Sequence, residues 1–190
     1  MSDTKRFAGK TALVTGAAGN IGLAVARRLA REGSHVILLD LDQAKLDDAA
    51  KGFAEHGVKV KTVVCDVTNY KSVEDAVEYA EKTVGPIDFL FNNAGYQGAF
   101  APIHEYPAED FQRVVDIDLV GAFHVLRAVS RRMVDRRSGS IVNTASMAGL
   151  QGPPNMGAYG SSKFGVVGLT QVARKTSRHI ISGSTALLPH

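Results

Sequence analysis

Tryptophan is absent from the 190 residues, and there is a single cysteine, Cys65. One thiol closes no intramolecular disulfide, and without clustered histidines it makes no zinc site. Long apolar runs are missing as well: stretches such as Val36–Leu39 fall far short of the ~20 residues that a membrane-spanning helix needs. The opening MSDTKRFAGK is charged and has no apolar signal region, so nothing in it marks the chain for export. Acidic residues are lacking from one region only. Residues 136–190 hold six Lys/Arg and no Asp or Glu, whereas residues 1–135 hold 16 Lys/Arg against 19 Asp/Glu. The net charge of +3 is thus supplied by Arg174, Lys175 and Arg178 at the end of the chain, not by a basic stripe along one face. These absences predict a cytoplasmic protein that binds neither nucleic acid nor membrane.

What is present is enough for one domain. The hydrophobic fraction of 45% excludes a disordered chain, and the length suits one core better than two. Glycine is plentiful, at 19 residues against a usual share of roughly 7%, which predicts places where the backbone comes close to something. Short apolar runs alternate with amphipathic stretches. Strands are expected at Thr11–Thr15, His35–Asp40, Val58–Val67, Asp88–Asn92 and Ser140–Thr144. Helices are expected at Ile21–Gly33, Asp42–His56, Asn69–Val84, Ala108–Arg136 and Ala158–Ala173. Strands each leading to a helix imply an α/β fold, a parallel sheet covered on both faces. The element lengths fit a doubly wound Rossmann-type sheet of order 3-2-1-4-5.

The first strand runs directly into Thr15-Gly16-Ala17-Ala18-Gly19-Asn20-Ile21-Gly22 and then a helix. Small residues at that junction let the backbone approach a pyrophosphate, and the helix N-terminus offers it free N–H groups and a positive dipole. A tight turn without a ligand is the plain alternative. Asp40 ends the second strand, eighteen residues after Gly22, where a carboxylate accepts hydrogen bonds from ribose hydroxyls and repels a 2′-phosphate. No Arg or Lys stands in the turn or at position 41, so NAD is favoured over NADP. Asp40 serving only as a cap of the next helix is compatible with the same pattern. Asp66 and Asn92-Asn93-Ala94-Gly95 also fall at C-terminal strand ends, where open α/β sheets bind ligands.

Tyr159 and Lys163 stand four apart at the start of a helix and share a face. A phenol normally titrates near 10, and a neighbouring ammonium favours its ionised form. The pair is a plausible proton-transfer device, and Ser146 is placed to hold a substrate oxygen.

Taken together, TGAAGNIG, Asp40, CDV at Cys65–Val67, NNAG at Asn92–Gly95, Ser146 and YGSSK at Tyr159–Lys163 resemble the short-chain dehydrogenase/reductase family from about Gly9 to about Ala173. The resemblance implies a homodimeric or homotetrameric enzyme that moves hydride between NAD(P) and an alcohol or carbonyl. It implies that Tyr159 is the general acid/base, that Lys163 lowers its pKa and holds the nicotinamide ribose, and that Ser146 orients the substrate oxygen. The cofactor residues so implied are Gly16, Gly19, Asn20, Ile21, Gly22, Asp40, Asp66, Val67, Asn92, Ala94 and Gly95, with Tyr159 and Lys163. The stretches FNNAGYQGAFAP and GPPNMGAYG further resemble xylitol and related polyol dehydrogenases, which makes Tyr96, Gln97 and Asn155 candidate pocket residues. The expected substrate is a small alcohol, polyol or ketone. A non-catalytic dinucleotide-binding remnant and an NADPH-dependent 3-oxoacyl thioester reductase are the alternatives.

Three departures from the family's pattern stand out. Asn20 occupies a position that is commonly Gly, a substitution that left-handed backbone tolerates. Asp118, in Asp118-Leu119-Val120-Gly121, replaces an Asn that supports a water chain to the catalytic lysine; its carboxylate is expected to offset Lys163 and raise the Tyr159 pKa. The end of the chain, RKTSRHIISGSTALLPH, is basic and poorly periodic. The expected division is therefore a catalytic domain at 1–173 and an atypical tail at 174–190, with the family's last two strands missing and the fifth strand left as an open edge. Codons exist for Lys175–Ala186 whose shifted frame reads DLAPYNIRVNG, so the tail is expected to be a frameshifted continuation.

Overall fold

The computed structural model describes residues 5–176. Five parallel strands, β1 (Thr11–Thr15), β2 (His35–Asp40), β3 (Val60–Val64), β4 (Phe89–Asn92) and β5 (Ser140–Asn143), form one sheet of order β3-β2-β1-β4-β5. Helices α1 (Asn20–Arg31), α2 (Gln43–Lys51), α3 (Tyr70–Thr83), α4 (Ala108–Val115), α5 (Ala122–Arg136) and α6 (Gly157–Thr176) flank it. Among the described residues β3 and β5 are the edges.

Alternation along the central strands builds two cores, because successive side chains leave a strand on opposite faces. Leu13, Ile37, Leu39, Leu90 and Ile141 pack on one face against Val73 and Val77 of α3 and Val125 and Val129 of α5. Val14, Val36, Leu38 and Phe91 pack on the other against Ala26 and Ala30 of α1 and Leu46 and Ala49 of α2. Both faces being covered is why β1 and β2 read as continuous apolar runs.

The differences from expectation have local causes. The third strand stops at Val64, not Val67, because the Asp66 carboxylate accepts from the Thr68 N–H (2.9 Å) and hydroxyl (2.7 Å), which turns the chain. The second helix stops at Lys51, followed by Gly52 and a short 3₁₀ turn, Ala54–His56, that ends at left-handed Gly57. Asp42 rather than Asp40 caps that helix, accepting from the Lys45 N–H at 3.1 Å. Asn69 caps α3 in the same way, through the Ser72 N–H.

The expected long helix Ala108–Arg136 is continuous but contains a π-helical segment, Asp116–Gly121, between α4 and α5. Such segments widen a helix by one residue per turn and often sit at functional positions. Here the segment turns Asp118 completely into the interior, and Gly121 meets the Val67 side chain so closely that a Cβ would stand 2.7 Å from its Cγ2. The last helix runs to Thr176, three residues past the expected end at Ala173. Beyond it, the expected frameshifted tail lies outside the described residues.

Candidate active site

The C-terminal ends of all five strands open toward one side, as parallel pairing requires. There they border a cleft of about 1170 Å³ that runs from Asp40 and Asp66 past the glycine turn to Tyr159 and Lys163. The turn is built for close approach. Gly16 has a left-handed φ of +60°, and a Cβ there would stand 3.0 Å from the Ala94 Cα. No side chain caps the start of α1, so its first N–H groups are left to a ligand. Gly19, Asn20 and Ile21 line the cleft; Gly22 does not. Gly22 is buried beneath the turn, where a Cβ would collide with the Gly16 carbonyl oxygen. Its role is to let α1 start this close to β1.

Asp40 is held at the cleft wall by the Ala18 N–H (3.0 Å) and the Leu41 N–H (2.8 Å). Asp66 and Val67 line the same end. Cys65 also reaches it, with burial pushing its thiol up to about 11, so it is an inert wall and not a nucleophile.

Ala94 and Gly95 of the NNAG stretch line the middle of the cleft; Asn92 does not. The Asn92 amide is buried, donating to the Ala122 carbonyl (2.8 Å) and to Asn143 Oδ1 (3.0 Å), so it ties β4 to α5 and β5. Its neighbour Asn93 is the one at the cleft, fixed by Thr144 Oγ1 at 3.2 Å. The organiser that sequence reasoning missed is Thr15. Its hydroxyl accepts from the Asn93 N–H (2.8 Å) and the Ala94 N–H (3.0 Å) and donates to Asn92 Oδ1 (3.3 Å). A polar residue at the last position of a buried strand was the available signal.

At the far end, Lys163 is 4% exposed and Asp118 0%. Lys163 Nζ lies 3.1 Å from Asp118 Oδ2, 5.3 Å from the centre of the Tyr159 ring, and donates to the Thr144 carbonyl at 3.2 Å. Asp118 Oδ1 accepts from the Tyr96 N–H at 2.6 Å, while Oδ2 has the ammonium beside it without hydrogen-bond geometry. Burial pushes the Asp118 carboxyl upward; the Lys163 ammonium and the Tyr96 N–H pull the other way. Ser146 is half-buried at the start of a 3₁₀ turn, Met147–Gly149, where its hydroxyl accepts from the Ala148 N–H at 3.2 Å. That turn packs on α6: a Cβ on Gly149 would stand 2.7 Å from the Lys163 carbonyl oxygen.

Of the candidate pocket residues, Tyr96 and Gln97 line the cleft and Asn155 does not. Asn155 takes a left-handed φ of +63°, and its carbonyl accepts from the Ala101 N–H at 3.0 Å, which fastens the loop after β4 to the segment before α6. Arg113 of α4 was not anticipated. It lines the cleft with its guanidinium 4.6 Å from the centre of the Tyr96 ring. Among the described residues no three metal-ligating side chains cluster, and no helix is long and apolar enough to cross a membrane.

Comparison with known proteins agrees with this geometry. The crystal structure of an NAD+-bound xylitol dehydrogenase superposes with a TM-score of 0.91 at 53% identity, over 93% of this chain and 68% of that one. The 2-dehydro-3-deoxy-L-rhamnonate dehydrogenase (NAD(+)) of Sphingomonas sp. (strain SKA58) is 40% identical over 166 residues, 87% of this chain and 65% of its own length. An actinorhodin polyketide ketoreductase variant with NADPH matches at TM-score 0.86 and 36% identity, over 90% of this chain and 67% of that one. The chain spans about two thirds of the length of the relatives it matches. The short chain dehydrogenase family matches residues 10–181. With that match spanning most of the chain and the same fold in solved relatives at up to 53% identity, the chain belongs to the short-chain dehydrogenase family.

Proposed function

We propose that the protein is an NAD-dependent oxidoreductase that interconverts a small alcohol or polyol and the corresponding ketone, acting in the cytoplasm as a homodimer or homotetramer. The observation that carries this reading is the placement of Tyr159 and Lys163 at one end of a cleft whose middle is the glycine turn and whose other end is Asp40. The residues present fit a dinucleotide. An uncapped helix start and a left-handed Gly16 suit a pyrophosphate, and Asp40 and Asp66 offer acceptors to an adenosine. The turn itself contributes no Lys or Arg, and Lys45, which lines the cleft, lies 3.4 Å from the Asp42 carboxylate. A 2′-phosphate would thus meet Asp40 with no dedicated cation, which favours NAD over NADP and argues against an NADPH-dependent thioester reductase.

The nicotinamide, when bound, supplies the acceptor or donor of hydride. In alcohol oxidation the Tyr159 phenolate takes the substrate's hydroxyl proton, and Lys163 favours that phenolate by its charge. In this reading Ser146 orients the substrate oxygen, from a position that does not line the cleft, and Tyr96 and Gln97 form the pocket wall. The catalytic unit is residues 1–173, and its polyol preference rests on the likeness of Phe91–Pro102 and Gly152–Gly160 to xylitol dehydrogenases.

The test is NAD binding followed by single-turnover oxidation of a panel of polyols. Turnover that falls at least about a hundredfold in Tyr159→Phe, in line with loss of a general base, supports the reading. Binding without turnover would replace it with a non-catalytic dinucleotide-binding module.

A further inference from the structure

We propose that the buried Asp118–Lys163 pair lifts this site's discrimination against the oxidised cofactor, with Asp118 as the residue that removes it. The inference rests on the dinucleotide reading above and goes beyond it. NAD+ and NADH differ at the nicotinamide by one positive charge, and their remaining parts are alike. A site whose only buried charge at that end is a lysine ammonium repels the cationic ring and accepts the neutral one. In this chain Lys163 does not stand alone: Asp118 Oδ2 lies 3.1 Å from its Nζ, and both side chains are at most 5% exposed. The pair has no net charge, so the penalty against the cationic ring is removed.

Two structural facts make Asp118 a dedicated counter-charge. Its side chain is turned inward by the π-helical segment Asp116–Gly121, and only one of its oxygens is engaged by backbone, at the Tyr96 N–H. The other, Oδ2, makes no hydrogen bond and is shielded from solvent, so its charge acts through a poorly screened medium. Glu109, Arg113 and Asp116 of the same stretch also line the cleft, but the first two are exposed and the third is half-buried, so water screens them more than it does the buried pair. Asp116 is engaged by the Gln112 side-chain amide at 2.8 Å, and Arg113 lies against Tyr96 on the exposed face. Reached by water, they leave the Asp118–Lys163 pair as the poorly screened charges at the buried end.

The experiment compares the full chain with Asp118→Asn and Asp118→Ser, measuring Kd for NAD+ and for ADP-ribose by calorimetry and for NADH by its own fluorescence. ADP-ribose carries the adenosine, both phosphates and the second ribose without the ring. Both variants are expected to bind NAD+ about three- to tenfold more weakly, the scale of one unit charge acting across a cleft at an effective dielectric of 20–40, with ADP-ribose unchanged. NADH is expected to bind as before or more tightly. An unchanged ratio of NAD+ to NADH affinity, or an equal loss for all three ligands, overturns the assignment, the latter because it would mark a purely structural role. If the parent chain binds none of the three, the dinucleotide reading falls and this inference with it.

Discussion

Replacing Asp118 with Asn removes a charge while keeping the shape of the side chain, and its consequence for the reaction can be worked from two distances. Lys163 Nζ is 3.1 Å from Asp118 Oδ2 and 5.3 Å from the Tyr159 ring centre, which puts the carboxylate within about 8.4 Å of that ring. A unit charge at that range is worth roughly 1–2 kcal/mol at an effective dielectric of 20–40. The carboxylate opposes negative charge developing on the Tyr159 oxygen, so its removal lets the Lys163 ammonium act unopposed. In the variant the amide oxygen keeps the Tyr96 N–H bond, and Lys163 keeps the Thr144 carbonyl. The assay is the pH dependence of kcat/KM for alcohol oxidation. Its acid limb is expected to move to lower pH in Asp118→Asn, with a higher rate at pH 7 as the result. Superimposable profiles, or a shift to higher pH, would refute the reasoning.

Other expectations follow from the same geometry. Asp40→Ala should narrow the preference for NAD over NADP by about tenfold, since a carboxylate beside a 2′-phosphate costs on the order of 1–2 kcal/mol; affinities for both nucleotides measure it. Gly22→Ala drives a Cβ into the Gly16 carbonyl oxygen and should lose about 1–3 kcal/mol of stability in a urea melt, with the glycine turn displaced. Glu32 accepts from Arg6 and Arg28, which hold its carboxyl down at about 2. Because the folded value lies below the ordinary one, its stabilisation is full above about pH 4.5 and fades as the pH falls toward 2. Glu32→Gln should therefore flatten the loss of urea midpoint between pH 5 and pH 2.5 relative to the parent.

Much of this architecture was legible as pattern. A buried parallel strand announces itself by a continuous apolar run, and β1 and β2 start and stop where TALVT and HVILLD do. Caps were less legible. Asp40 and Asp42 are equally good capping residues by type, and only the path of the chain makes Asp42 the cap and leaves Asp40 on the cleft wall. The π segment was invisible, because one extra residue in a turn leaves the apolar periodicity on either side nearly intact.

The sequence by itself determined the fold class, the glycine turn and the spacing that puts Tyr159 over Lys163, since each depends on neighbours in the chain or on alternation along it. Which motif residues reach the cleft was decided only by tertiary structure. Asn92, Gly22 and Asn155 carry the right identities, yet the first two are buried as struts and the third clasps a loop. Asn93 and Arg113 stand at the wall, and Thr15, buried behind it, holds the Asn93 and Ala94 backbone in place. The physical reason is that a strand end presents alternate side chains to opposite sides, and the partners from β1, β4, β5 and α5 that select between them lie up to 79 residues away. The same holds for charge: Asp118 and Lys163 are 45 positions apart in the chain, and only packing of the π segment against α6 makes them one ion pair.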